Sequence, residues 1–238
     1  MIDLVAVIGM AALVALMVAL LGVGVAKSTA LAGDPESANR RGIWVIFALQ
    51  IWLGLVAVLA FRGVFSDWSA RPPRLALFTL AAFLMIVLIN RTKTLNQLIA
   101  STPRHWLIAA QTFRVAVELV LFAFYVDGHV PLQLTFEGRN VDILAGLTAP
   151  IVAWLVARHR VKLVAVIWNV LGIAVLLNTI VVFQTSLPGP LYAHWPGAPL
   201  TSAGEWPLVW LPTFLAPLAI FLHVVSFRQF ARDARPSE

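Results

Sequence analysis

The sequence predicts an all-α integral membrane protein: a seven-transmembrane-helix bundle with its amino terminus outside and its carboxyl terminus in the cytoplasm. Three observations carry this. The 238 residues are 61% hydrophobic and 12% charged, whereas soluble domains carry roughly 25% charged residues. The apolar residues fall in long unbroken runs, without the alternation of membrane-spanning strands. The lysines and arginines gather in every second connection between those runs, as the positive-inside rule requires.

The first run, residues 4–26, follows Asp3 and has no basic residue before Lys27. It is longer than the 7–15-residue core of a secretory signal, so it reads as a retained first helix. Residues 42–61 and 75–90 give the next two spans. The connection RTKTLNQLIASTPRH, residues 91–105, is expected to hold a short interfacial helix. The fourth span covers 106–126. The polar stretch TFEGRNVDI leads into the fifth, 141–157, and the basic turn ARHRVK leads into the sixth, 163–183. A proline- and glycine-rich connection precedes the seventh, 206–226. The third and fifth runs are short of the ~20 residues a bilayer asks for. No composition break divides the chain, which reads as one polytopic membrane domain, 1–238.

With the amino terminus outside, the cytoplasmic set is Lys27, Arg40, Arg41, Arg91, Lys93, Arg104, Arg158, Arg160, Lys162, Arg228, Arg232 and Arg235; the outer set is Arg62, Arg71, Arg74 and Arg139. Twelve against four fixes the expected orientation. The net charge of +6 is therefore a matter of topology, and no nucleic-acid partner is expected. The expected surroundings are a lipid bilayer, namely the plasma (inner) membrane of a bacterium.

One arginine lies inside a span. QTFRVAVELV carries Gln111, Arg114 and Glu118 on one helix face by their spacing. At ~1.5 Å per residue, Gln50, Gln111, Arg114 and Asn169 share a layer roughly 8–12 Å deep, with Glu118 near the midplane. Charges on a lipid-facing surface are costly, so this face is expected to look inward. Arg114 and Glu118 are expected to pair. The pair reads either as a packing clamp or as part of a solute or proton path.

Pro150, Pro212 and Pro217 each remove a backbone donor from a span and are candidate hinges. Glu137, Arg139, Asn140 and Asp142 crowd the outer side. Asn140 reads as a cap of the fifth helix and Asp142 as a charge complementing its dipole; the alternative for the group is an outer vestibule. His105 and His223 fall near the cytoplasmic edge and are the one pair that could ligate a haem iron, with no accompanying pattern of residues to orient the two rings. No cofactor and no metal site is expected. There is no cysteine, no HExxH or GxSxG motif, no phosphate-binding glycine loop, and no lysine for a retinal Schiff base in the fifth or seventh span.

The expected function is that of a small carrier or channel-like protein for a small solute or proton, working through the polar face of the fourth span. The alternatives are a sensor, receptor or assembly subunit in which Arg114 and Glu118 are structural, and a membrane-embedded enzyme.

Overall fold

The computed structural model describes residues 4–159 and 161–232. Arg160 and Arg235, counted above for orientation, lie outside the described residues. The fold is all-α, with no strand among the described residues.

Helix α1 (Leu4–Leu31) buries Ala6, Met10, Leu13 and Met17, at helical spacing, while Val5, Ile8, Leu16 and Leu20 on its other faces are exposed. A helix that is apolar all round, with only a stripe buried in the fold, has no polar face to offer water. Helix α2 (Pro35–Phe61) begins at an Asp34 cap that accepts from the Ser37 amide at 3.2 Å, with proline in the first turn. It buries residues only near its ends: Ser37, Ala38 and Gly42, then Leu53, Val56 and Ala60. Its middle is exposed or half-buried.

Helix α3 (Arg74–Asn90) bends by 75° into the short α4 (Lys93–Ser101). Thr92 sits at the bend and caps α4 by accepting from the Leu95 amide at 3.2 Å. This is the short helix expected between the third and fourth spans. The fourth run is two helices, α5 (Arg104–Ala110) and α6 (Phe113–Val126), joined by a tight turn at Gln111 and Thr112. Then come α7 (Ile143–His159), α8 (Lys162–Ser186), a short π-helical segment (Leu211–Leu215), and α9 (Ala216–Arg232).

Among the described residues, five stretches are long and apolar enough to cross a membrane: α1, α2, the combined 104–126, α8, and 211–231. Helices α3 and α4 meet that test only as a bent pair, and α7, with 17 residues, is shorter. The two runs that read as short are thus the two that the structure also makes short.

The helices alternate in direction. At one end, Ser101 and Thr102 bond Ser28, and Arg228 bonds Asn90 and Asn96. At the other, Phe61 packs on Trp206 and Ser202 donates to the His129 carbonyl. Segment 211–230 runs through the middle: none of its residues is exposed. The outer surface is apolar, with Trp44, Phe47, Ile51, Leu80, Ile151 and Leu171 all more than half exposed.

Trp52 and Trp210 tie α2 to the central segment reciprocally. Pro217 has no N–H for the carbonyl of Thr213, four residues back. The Trp52 indole N–H donates to that carbonyl instead, at 3.0 Å. The Trp210 indole donates at 3.1 Å to the carbonyl of Leu53, the neighbour of Trp52.

Candidate functional site

The connection between α6 and α7 does not stay at the surface. Residues Gln133, Leu134, Thr135, Asn140 and Asp142 are buried, Thr135 and Asn140 completely. The reversal is tight at Gly138, where a Cβ would stand 2.1 Å from the Leu132 carbonyl oxygen, so only glycine fits. Through it TFEGRN folds inward and delivers two polar side chains to α6.

The first is Asp142, which meets Arg114. The Arg114 Nε donates to Asp142 Oδ2 at 2.6 Å, and Nη2 bonds Oδ1 in a close ion pair. Nη2 also reaches the Gly172 carbonyl at 3.4 Å, and Nη1 lies 3.1 Å from His223 Nε2. Four of the five guanidinium donors thus have a partner. The pair is buried, with side chains 1% and 5% exposed.

The second is Asn140, which meets Glu118. Asn140 Nδ2 donates to Glu118 Oε1 at 2.7 Å and to the Leu134 carbonyl at 3.0 Å. Its Oδ1 accepts from the Thr179 hydroxyl at 2.6 Å and from the Asp142 amide at 3.2 Å. The Asp142 amide precedes the first residue of α7, Ile143, so this bond lies just ahead of the helix that Asn140 is expected to cap. Its main service, though, is to hold one oxygen of Glu118.

The expected Arg114–Glu118 pair is therefore replaced by Arg114–Asp142. Helical side chains lean toward the amino terminus. An arginine four residues before a glutamate leans away from it, the less favourable order for an i,i+4 pair. Asp142 instead arrives from another element and accepts two parallel bonds, the geometry a guanidinium suits best.

A third chain leads from Arg114 into α8 and α9. Arginine has no acceptor, so His223 Nε2 must accept from it, and the His223 proton sits on Nδ1. Nδ1–H then donates to Asn169 Oδ1 at 2.9 Å, and Asn169 Nδ2 donates to Ser226 Oγ and the Ala165 carbonyl. Gly172 makes room for the ring: a Cβ there would lie 2.5 Å from His223 Cε1.

Two buried oxygens in this region, Glu118 Oε2 and Gln111 Oε1, have no hydrogen-bond partner among the described residues. Gln111 Nε2 donates to the Ala219 carbonyl at 3.0 Å. Glu118 borders a cavity of about 70 Å³ that Arg114, Asp142, Thr179, Phe183 and Pro212 also line. That is room for a few waters or a small ion, at about 10–15 Å³ per water.

The structure brings together Arg114, Glu118, Asn169, Asn140 and Asp142, with Gln111 beside them. It leaves Gln50 out, exposed on the middle of α2. Of the expected vestibule, only Glu137 and Arg139 stay exposed; the Arg139 guanidinium lies 4.8 Å from the Trp195 ring. Pro212 and Pro217 are buried in the central segment, whereas Pro150 lies on the exposed side of α7. His105 sits half-buried at the start of α5, nine residues or about 13 Å along the chain from Arg114. His223 lies at the depth of Arg114 with both ring nitrogens engaged, so the two histidines are not placed as a haem pair. Among the described residues, no three of His, Asp or Glu converge as metal ligands would. Sequence reasoning missed His223, Thr179 and Gly172 as members of the network. The one available signal was that a buried arginine needs a carboxylate, and Asp142 was the only acid besides Glu118 inside an expected span.

A family model described as a domain of unknown function (DUF8737) matches residues 71–231, which hold every side chain of this network. No curated protein and no solved structure matches the chain.

Proposed function

The chain belongs to the DUF8737 family, and from the site built within that segment we propose a seven-span plasma-membrane protein that moves a proton, or a small solute coupled to one, through Glu118. The observation that carries this reading is the free oxygen of Glu118. Arg114 and Asp142 neutralise each other, which leaves Glu118, on the wall of a small cavity, as a second carboxylate with one oxygen held by Asn140 and the other buried without a partner among the described residues. Intramembrane ionisable groups are functional candidates by default, and a carboxylate is suited to taking up and giving back a proton.

The apolar exterior supports the bilayer as surroundings. The alternating helices support seven crossings, with α3 and α7 as the short ones and the bent α4 lying along the inner face. The basic residues support an outer amino terminus.

The test is proton flux into proteoliposomes under an imposed gradient, read with an entrapped pH-sensitive dye. The parent is expected to conduct and Glu118→Gln to lose at least tenfold. Equal flux in both overturns the reading.

A second reading, an assembly subunit or sensor with a purely structural network, is favoured by one observation: the donors of Arg114 are almost all satisfied. Under it, neither parent nor variant moves protons, and the protein co-purifies with a stoichiometric partner.

A further inference from the structure

The central segment has a second face. The one described lines the Glu118 cavity with Leu211, Pro212, Leu215 and Ala219. The opposite face, with Thr213, Phe214, Pro217 and Phe221, closes a separate groove of about 550 Å³. Its other walls come from α1, α2, α3 and α4, through Leu21, Trp44, Ala48, Met85 and Leu98. The groove exists because α2 buries nothing along its middle and α4 turns away from α3 at 75°.

This groove is apolar along its length and polar at one end. Arg41 and Leu98 belong both to it and to an adjoining cleft of about 630 Å³ that Asp34, Gln97 and Ser101 also line. A long apolar slot opening at a cationic, hydrogen-bonding mouth matches a molecule with an acyl chain and a charged head. The sign of that charge follows from the surroundings. Arg40 and Arg41 lie in the second turn of α2, and Arg91 and Lys93 flank Thr92, another lining residue; Asp34 and Glu36 are the acids there. The balance is positive, so the complementary head is anionic. Arg41 is tied to Asp34 at 3.0 Å through Nη2 alone, and its side chain is 39% exposed. A planar guanidinium is well suited to a phosphate.

We propose that this groove binds an anionic phospholipid from the bilayer, with an acyl chain between α2 and α9 and its phosphate at Arg41. The slot is within the 300–1,000 Å³ range of small-molecule sites. The assignment rests on the membrane reading above, since a bilayer must supply the lipid.

The test uses the full-length chain extracted from membranes in mild detergent and stripped of lipid. Phosphatidylglycerol or phosphatidylcholine with identical acyl chains is then titrated in, with bound lipid counted by native mass spectrometry. The parent should bind one phosphatidylglycerol at least tenfold more tightly than phosphatidylcholine. Arg41→Gln should reduce that preference below threefold, and Arg40→Gln, at a residue that does not line the groove, should leave it intact. Ala48→Phe, which fills the slot, should weaken both lipids. If Ala48→Phe does not fold, the Arg41→Gln and Arg40→Gln pair decides alone, since both lie near the surface. Equal affinity for the two lipids in the parent, no bound lipid, or an unchanged preference in Arg41→Gln overturns the assignment. A chain that leaves the membrane fraction without detergent would instead overturn the membrane reading, a separate result.

Discussion

Arg114 on α6 is held by Asp142, the residue just before α7, through two parallel bonds in a fully buried pair. Glu118, one turn along the same helix, takes no part in it. Breaking a buried pair from one side strands a charge and costs about 3–5 kcal/mol. Asp142→Ala should therefore destabilise the protein strongly in a detergent-unfolding titration. Arg114→Leu with Asp142→Leu should recover much of that loss, because replacing both partners by apolar groups is often near neutral. Single variants as stable as the parent would sink the pair as a structural element.

Trp52 offers a cleaner single-bond test. Trp52→Phe keeps an aromatic side chain, though a smaller one, and removes the donor to the Thr213 carbonyl. An unsatisfied buried carbonyl costs about 1–3 kcal/mol. Trp44→Phe, at a residue more than half exposed, should cost little. Equal thermal shifts in both variants would mean that the indole bond contributes nothing.

Gly172→Ala probes the seat of His223. The added Cβ would lie 2.5 Å from the imidazole, so the ring must move off Arg114 or the helices must part. Overpacking of this kind costs about 1–3 kcal/mol. The expected sign is loss of stability; a crystal structure of the variant with His223 unmoved would refute the account.

How much of this was legible in the chain can be argued from the same residues. Runs of apolar residues and the prolines between them mark helices by purely local rules, and α4 was readable from the polar connection that holds it. Position along a helix was readable as well, because rise per residue is constant; it grouped Arg114 with Asn169, which the structure links through His223. Azimuth was not. Gln50 shares the expected layer but sits where α2 stands away from the bundle, and nothing within α2 encodes that. The partner of Arg114 was hidden for another reason. Asp142 reaches it only because TFEGRN folds inward at Gly138, a packing event between elements that no periodicity records.

The turn before α2 responds to acid in a defined direction. The Ser37 hydroxyl and amide both donate to Asp34, and Arg41 lies beside it, so its carboxyl is held below its ordinary pKa of 3.8. A group depressed in the folded state adds stability above its unfolded pKa, and that stability is lost as pH falls through the folded value. Parent and Ser37→Ala should differ near neutrality and converge below about pH 3.8. A gap that widens on acidification would reverse the assignment.

Topology can be checked directly, since the chain has no cysteine. Under the proposed orientation, Ser66→Cys and Ala198→Cys, both at exposed positions, should react in intact cells with an impermeant thiol reagent. Gln97→Cys, exposed on α4, should react only after the membrane is opened. Labelling of Gln97→Cys in intact cells would invert the bundle or change its span count.

The reciprocal tryptophans also set a schedule. Trp52 and Thr213 are 161 residues apart, and a ribosome adding roughly 5–20 residues per second needs on the order of 10–30 s to make that stretch. Throughout that interval the α1–α2 hairpin is already synthesised, yet its indole donor, the Leu53 carbonyl and one whole wall of its groove wait for the 211–230 segment. The segment that closes α1 and α2 is thus made long after them. A nascent chain stalled before residue 206 would carry an open seam, which makes early termination, more than point substitution, the event that quality-control proteases should detect.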